Sequence, residues 1–331
     1  MTATNPAVST TTPAIKPTTA PAGRPRNPLK RFWPQYVSVA PFYILFLVFG
    51  LFPLVFSIYL SFTNWDGMGK RTFVGLAQYR YLITDARFWN AVGNTFIIWF
   101  MSTIPMLFFA LIIAFLLHQN IRFKGFYRVA YFIPNVTSMV AMAIVFGSVF
   151  SNSFGLINSA LQAIGAAQIP WLSSPWGIKF TIAMMVIWRW TGYNAILYLA
   201  GLQAIPTELY ESARVDGAGT WSIFGRITVP MLRPVILFTV ITSTIGGLSL
   251  FTEPQVLLGN SGGPGEAGMT IVLYQYNQAF TQFDFGYGSA IAWALFIIAA
   301  IFAIINWRLV SERDTDGNTK RRIRRRREVA R

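Results

Sequence analysis

Six long apolar runs, near residues 38–61, 94–117, 129–151, 178–201, 232–252 and 286–309, dominate the chain. Each is close to the roughly 20 residues that a helix needs to cross a hydrocarbon core of about 30 Å. This pattern predicts an all-α membrane protein with six transmembrane helices, which leaves both termini on one side. The third run carries Pro134, a residue tolerated in a span where neighbouring helices satisfy the freed carbonyl. Between the first two runs, residues 64–93 read as a long loop with short helical pieces, one entered through 73–79 and another leading from 85–90 into the next run.

The most polar interruption between two such runs is 205–234. Pro206 suits a helix start, Thr207 can cap it, and Glu208 and Glu211 favour its positive end. Leu209 and Ala213 share a face. Asp216, Gly217, Ala218 and Gly219 then break the helix. Thr220 can cap a second helix, with Trp221, Phe224 and Ile227 or Thr228 on one side until Pro230 ends it. The expected product is a helix-turn-helix with an apolar face and a glycine corner. On these residues alone it can serve as an amphipathic connector at the lipid headgroups or as a docking surface for another protein.

Composition narrows the classes. Apolar residues make up 54% of the 331 and charged residues only 12%, which excludes an ordinary water-soluble domain. The net charge of +15 sits largely in short flanks of the apolar runs, where it sets orientation in a bilayer rather than attracting nucleic acid. Arg122, Lys124 and Arg128 in one connection and Arg214, Arg226 and Arg233 in another assign those loops to the cytoplasm. The opposite connections agree, since 151–177 carries no charge and 253–285 only acids. The loop at 64–93, with Lys70, Arg71, Arg80 and Arg87, runs against this rule but also holds Asp66 and Asp85. Residues 1–34, rich in Thr, Pro and Ala, read as a disordered cytoplasmic tail and not as a cleaved signal peptide. Residues 35–310 form the transmembrane domain, and 311–331 a basic cytoplasmic tail that anionic lipid would hold.

Several chemistries fail on their own requirements. The absence of cysteine removes disulfides and thiolate chemistry, and a single His118 removes most metal-site and catalytic-triad designs. Residues 263–268 fit G-x-G-x-x-G and 259–263 fit G-x-S-x-G, yet both lie in a loop after an apolar run, without the βαβ unit or the nearby histidine those motifs need. Gly69-Lys70 is the only Gly-Lys pair and lacks the rest of a phosphate loop. Neither a catalytic residue nor a cofactor is expected, and ATP, if used, binds to another polypeptide.

Glu211-Ser212-Ala213, with Gly217 six positions after the glutamate and then, after nine intervening residues, Ile227-Thr228-Val229-Pro230, resembles the EAA loop of binding-protein-dependent ABC importer permeases. The resemblance extends over roughly 35–310, through Phe73-Val74-Gly75-Leu76 with Tyr79, Asn94-Thr95, Phe132-Ile133-Pro134, Gly155 with Asn158, Trp171 and Ile205-Pro206. Ser261-Gly262-Gly263-Pro264, Tyr274, Tyr276, Ala279-Phe280 and Gly286-Tyr287 are similar to the half of the permease pair typified by the MalF and UgpA subunits. The resemblance implies one multi-pass permease subunit of a sugar importer in a bacterial-type plasma (inner) membrane. It also implies a second permease of different sequence, a dimer of ATPase subunits and an extracytoplasmic sugar-binding protein. The coupling surface toward the ATPase then comprises Glu211, Ala213, Asp216, Gly217, Ala218, Ile227 and Pro230. Glycerol-phosphate-type substrates, an ATP-independent secondary transporter and a membrane scaffold remain alternatives.

A sugar path needs hydrogen-bonding groups beside aromatic platforms. The fourth and fifth runs supply both, as Trp188, Arg189, Gly192, Tyr193 and Asn194, and as Ser249, Thr252 and Glu253. Arg189 is costly in hydrocarbon unless it faces a wet cavity or a partner such as Glu253.

Overall fold

The computed structural model describes residues 28–119 and 122–329, with side chains described from 32 to 306 apart from 120–121, and at 308. The basic stretch at 320–327 and most of the expected N-terminal tail therefore lie outside the described side chains. The chain divides into two compact units, 1–55 and 56–331.

In the first unit, α1 (Pro28–Phe46) passes through a π-helical turn (Leu47–Leu51) into α2 (Phe52–Leu60), which continues beyond the unit boundary. Pro53 cannot donate a backbone hydrogen bond. The turn before it widens, and Phe52 N–H reaches back to Leu47 O.

In the second unit, strands β1 (Thr63–Asn64) and β2 (Thr72–Phe73) form a small antiparallel hairpin, followed by α3 (Ala77–Thr84) and α4 (Ala86–His118). Asp85 caps α4 by accepting from Arg87 N–H. Next come α5 (Lys124–Val136), α6 (Met139–Val149), α7 (Leu156–Ala163), α8 (Pro175–Gln203) and α9 (Thr207–Val215). The chain continues through α10 (Thr220–Ile223), a π turn (Phe224–Thr228), α11 (Val229–Met231), α12 (Arg233–Leu248), α13 (Thr252–Leu258), α14 (Ile271–Tyr276) and α15 (Phe285–Val329).

Four helical segments are long and apolar enough to cross a membrane: Phe32–Leu60, Ala86–His118, Arg233–Leu258 and Phe285–Asn306. A fifth is reached if α5 and α6, bent by 96°, count as one broken span. Two of the six expected spans do not qualify as single helices on length and apolarity. The third run is not one helix, because Thr137 and Ser138 take extended backbone directly after α5 ends at Val136. The fourth run is a helix of 29 residues, but Lys179, Arg189 and Asn194 make it too polar to qualify on apolarity. It is instead heavily enclosed, and Ala110 and Ala114 of α4 meet Ala195, Tyr198 and Leu199 of α8 in one buried cluster. Small side chains let helices approach closely where no water drives them together.

At the hairpin end a second cluster joins α3 and α4 to α14 and α15 through Leu82, Phe88, Ile271, Leu273 and Ile291. Asp85 is its polar centre, only 7% exposed, and accepts from Tyr274 Oη at 2.6 Å and Tyr287 Oη at 2.5 Å. Burial alone would raise the Asp85 pKa. The two tyrosine hydroxyls, with the Arg87 and Phe88 N–H groups, outweigh burial and hold it below the usual carboxylate value. The same burial and the neighbouring carboxylate push the Tyr274 hydroxyl well up, so it remains a donor.

Candidate functional site

Two features stand out, a cavity among the long helices and the loop that joins α8 to α12. The cavity, about 360 Å³, is walled by α4, α8, α12 and α13 and touched by Met139 at the start of α6. It exists because the fifth apolar run is not one straight helix. Ser249 and Phe251 leave helical geometry, so the chain turns between α12 and α13. Thr270 Oγ1 donates to the Leu250 carbonyl at 2.6 Å, satisfying an acceptor that the break exposes. Gly247 permits the crossing with α4, since a Cβ there would sit 2.3 Å from Cδ1 of Trp99.

Five of the residues expected to line a sugar path, Tyr193, Asn194, Ser249, Thr252 and Glu253, border this cavity. Tyr193 meets Trp190 edge to face at 5.7 Å, and Asn194 Nδ2 donates to Trp190 O at 3.0 Å. Glu253 is 5% exposed.

The other three do not border it; they turn toward α5 and α6 and serve the packing of α8. Trp188 meets Phe146 of α6 at 5.7 Å. A Cβ at Gly192 would come within 1.7 Å of the Tyr131 carbonyl, so only glycine lets α5 pass. Arg189 turns its Nη1 toward Thr137 O at 3.5 Å, at the C-terminal end of α5, where a cation is favoured. Its guanidinium lies 5.7 Å from the Trp190 ring centroid, and its Nε is buried without a partner. Arg189 does not pair with Glu253, and the salt bridge found among the described residues joins Arg87 to Glu266.

Trp190, within the polar and aromatic stretch 188–194, borders the cavity too, and so do Thr242, Ser243 and Phe251, which were missed. Helical spacing separates Trp190 from Trp188, because Val186, Trp190, Tyr193 and Asn194 fall on one face, whereas the contiguous stretch around Arg189 wraps round the helix.

The loop is anchored from within. Ala218 N–H bonds Ala213 O at 2.9 Å and Gly217 N–H bonds Arg214 O at 3.0 Å, a Schellman motif that requires Gly217 at φ +76°. Ala213, Ala218 and Ile227 are half-buried against the cluster that contains Tyr210, Ile223 and Leu202. Tyr210 Oη lies 3.3 Å from Thr228 Oγ1. Glu211, Asp216, Gly217 and Pro230 are exposed, and nothing lies within 4 Å of where a Gly217 Cβ would project.

Local expectations here need correction. Pro206 and Gly219, not Thr207 and Thr220, occupy the capping positions, and neither threonine closes a side-chain cap. Tyr210 turns inward while Leu209 is exposed. Trp221, which periodicity placed on the apolar side, is 69% exposed, and with Val215 at 87% it gives the corner an apolar outer surface. Pro230 does not end the helix. The π turn before it lets Val229 N–H reach Phe224 O, as happens ahead of Pro53. Beside the corner, Phe115, His118, Tyr210, Glu211 and Arg214 border a groove of about 290 Å³.

Residues 94–315 match the family described as binding-protein-dependent transport system inner membrane component. The chain is 39% identical to the lactose transport system permease protein LacF of Rhizobium radiobacter, over 87% of this chain and 98% of that one. It is 36% identical to the arabinooligosaccharides transport system permease protein AraP of Bacillus subtilis, over 83% and 87%. Its fold is similar to a chain in the crystal structure of a bacterial ABC transporter involved in the import of the acidic polysaccharide alginate. There the TM-score is 0.75 at 24% identity, covering 86% of this chain and 97% of that chain.

Proposed function

This chain belongs to the binding-protein-dependent transport system inner membrane components, and from that premise we propose that it is one permease subunit of an ATP-driven sugar importer. It forms half of a translocation path and passes conformational change between that path and a separate ATPase subunit. A second permease of different sequence completes the path, an ATPase dimer binds and hydrolyses the nucleotide, and an extracytoplasmic binding protein delivers the sugar. In this reading α8 and the bent α5–α6 pair complete six crossings. Both termini and the Gly217 corner face the cytoplasm.

The observation that carries the reading is architectural. The helices that wall the polar, aromatic cavity, α8 and α12, are the ones that the Gly217 corner directly connects. A hydroxyl-rich ligand finds Asn194, Ser249, Thr252 and Glu253 beside Trp190, Tyr193 and Phe251. The exposed Val215 and Trp221 at the corner suit an apolar cleft of a partner.

Substrates of the glycerol-phosphate type fit less well, because the cavity presents Glu253 while Arg189 turns toward α5. We favour a neutral oligosaccharide, with a β-linked disaccharide such as lactose as the first to test. The complex reconstituted in proteoliposomes with its ATPase and binding protein should take up labelled lactose or arabinooligosaccharide only when ATP and the binding protein are both present. Uptake that persists without the ATPase subunit would identify a secondary transporter instead.

A further inference from the structure

Glu253 is a carboxylate in the wall of an intramembrane cavity, 5% exposed, and no salt bridge to it is found among the described residues. Removing such a group from water is costly unless other polar groups replace its hydration. Arg189 attracts the carboxylate from a distance but turns its guanidinium to the α5 terminus and the Trp190 face, so it offsets only part of that cost. The Trp190 side chain and the residue's own backbone N–H each donate to the carboxylate, and the content of the cavity supplies its remaining acceptor sites. A volume of 360 Å³ accommodates on the order of ten waters at about 30 Å³ each, or a sugar in their place, so Glu253 faces hydroxyls in either case.

We propose that Glu253 is the specificity-determining residue of this cavity, accepting hydrogen bonds from the hydroxyls of a neutral sugar and excluding sugars that carry a carboxylate or phosphate. The inference rests on the sugar-path reading above. Two carboxylate oxygens offer about four acceptor sites, enough to engage two adjacent hydroxyls at once, and charge-assisted bonds of this kind are stronger than neutral ones. A second anion in the same poorly screened space would be repelled by that charge, with no guanidinium in the wall to offset it. Trp190 and Tyr193 on the facing helix supply ring platforms without charge. The wall thus holds a hydroxyl acceptor and aromatic faces, and no Lys or Arg borders the cavity to bind an anion directly.

The test uses the purified, assembled transporter without its binding protein, so that selection by that protein does not enter. Displacement of labelled lactose is measured with lactitol, an open-chain neutral analogue, and with lactobionate, the corresponding carboxylate. Wild type should prefer lactitol at least tenfold. Glu253→Gln, which keeps the side chain's shape, should reduce that preference below threefold, chiefly by improving lactobionate. Ser243→Asp adds a second carboxylate to the same wall and should widen the preference, so the proposal remains testable if the glutamine variant does not assemble. An unchanged preference in either variant, with lactose still bound, would overturn the role of Glu253 alone. Failure of the wild-type complex to bind any of the three sugars would overturn the underlying sugar-path assignment as well.

Discussion

Replacing Asp85 by Asn tests how the hairpin end of the molecule is held together. The side chain is almost the same size, so the change acts on hydrogen bonding and charge and not on volume. In the native protein the carboxylate accepts from Tyr274 Oη, Tyr287 Oη and Arg87 N–H at 2.6, 2.5 and 2.9 Å. Hydrogen bonds to a charged group contribute roughly 1.5–3 kcal/mol each. An asparagine can keep one or two of these through its single oxygen, and its NH₂ must then face a hydroxyl that was donating. The net loss is therefore about 2–5 kcal/mol, taken from a contact that ties α4 to α14 and α15.

The measurement is thermal unfolding of the purified complex in detergent. A shift of about 2–4 °C per kcal/mol implies a loss of at least roughly 4 °C. Tyr287→Phe removes one of the same bonds, so the double variant should lose less than the sum of the singles. The sign of the pH dependence follows from the lowered Asp85 pKa. The stabilising contribution is fully present above the ordinary carboxylate pKa of about 3.9 and is lost as pH falls through the lower folded-state value. The gap between wild type and variant should stay flat from pH 8 to pH 5 and close only in strong acid. A shift under 1 °C, or additive single and double variants, would refute the idea that Asp85 organises this end.

Gly217→Arg should leave membrane insertion and sugar binding intact while lowering ATP-driven uptake at least tenfold, because the positive φ and open surroundings mark a corner built for close approach. Full uptake at normal abundance would show that the corner is not the docking point. Gly192→Ala should destabilise the assembled protein by more than about 1–3 kcal/mol, since its Cβ would lie 1.7 Å from the Tyr131 carbonyl and α5 would have to move. Unchanged thermal stability would contradict that packing. Reporter fusions at Gly217 and Gly263 should report opposite sides of the membrane; the same side for both would refute the orientation drawn from the basic loops.

What could be read from the chain divides by the range of the interactions involved. The start of α4 at Asp85 and the turn at Gly217 follow from local chemistry, a capping carboxylate and a residue tolerant of positive φ, and both stand in the structure. The break between α5 and α6 depends on whether tertiary packing straightens or bends the chain after Pro134, and composition does not decide that. The inward turn of Tyr210 and the exposure of Trp221 likewise depend on where the ends of α4 and α8 lie beneath the corner. At the cavity, polar content pointed to the correct helices but not to the correct face. Arg189 was the most conspicuous residue in the sequence, yet it is taken up by the exposed end of α5, which exists only once the α5–α6 break has formed.

That break and the one between α12 and α13 bear on how movement at the corner can reach the cavity. α8 runs without interruption from Trp190 and Asn194, which face the cavity, to Tyr198, Leu199 and Leu202, which pack under the corner. Eight residues, about 12 Å of rise, separate Asn194 from Leu202, so α8 transmits displacement as a rod. α12 is built differently. It reaches the cavity at Gly246 and Gly247 and then leaves helical geometry at Ser249. If transport requires α12 to flex there while α8 stays rigid, Gly246 is the position to alter, because its Cβ would meet nothing within 4 Å and no clash complicates the outcome. Gly246→Ala should then stabilise the protein by about 0.5–1 kcal/mol through helix propensity and the smaller unfolded-state entropy. It should also lower the maximal rate of uptake several-fold with little change in the sugar concentration at half-maximal rate. A methyl group that merely narrowed the cavity would raise that concentration and leave the maximal rate alone. A variant with raised thermal stability and unaltered maximal uptake would show that α12 does not need to bend at this glycine.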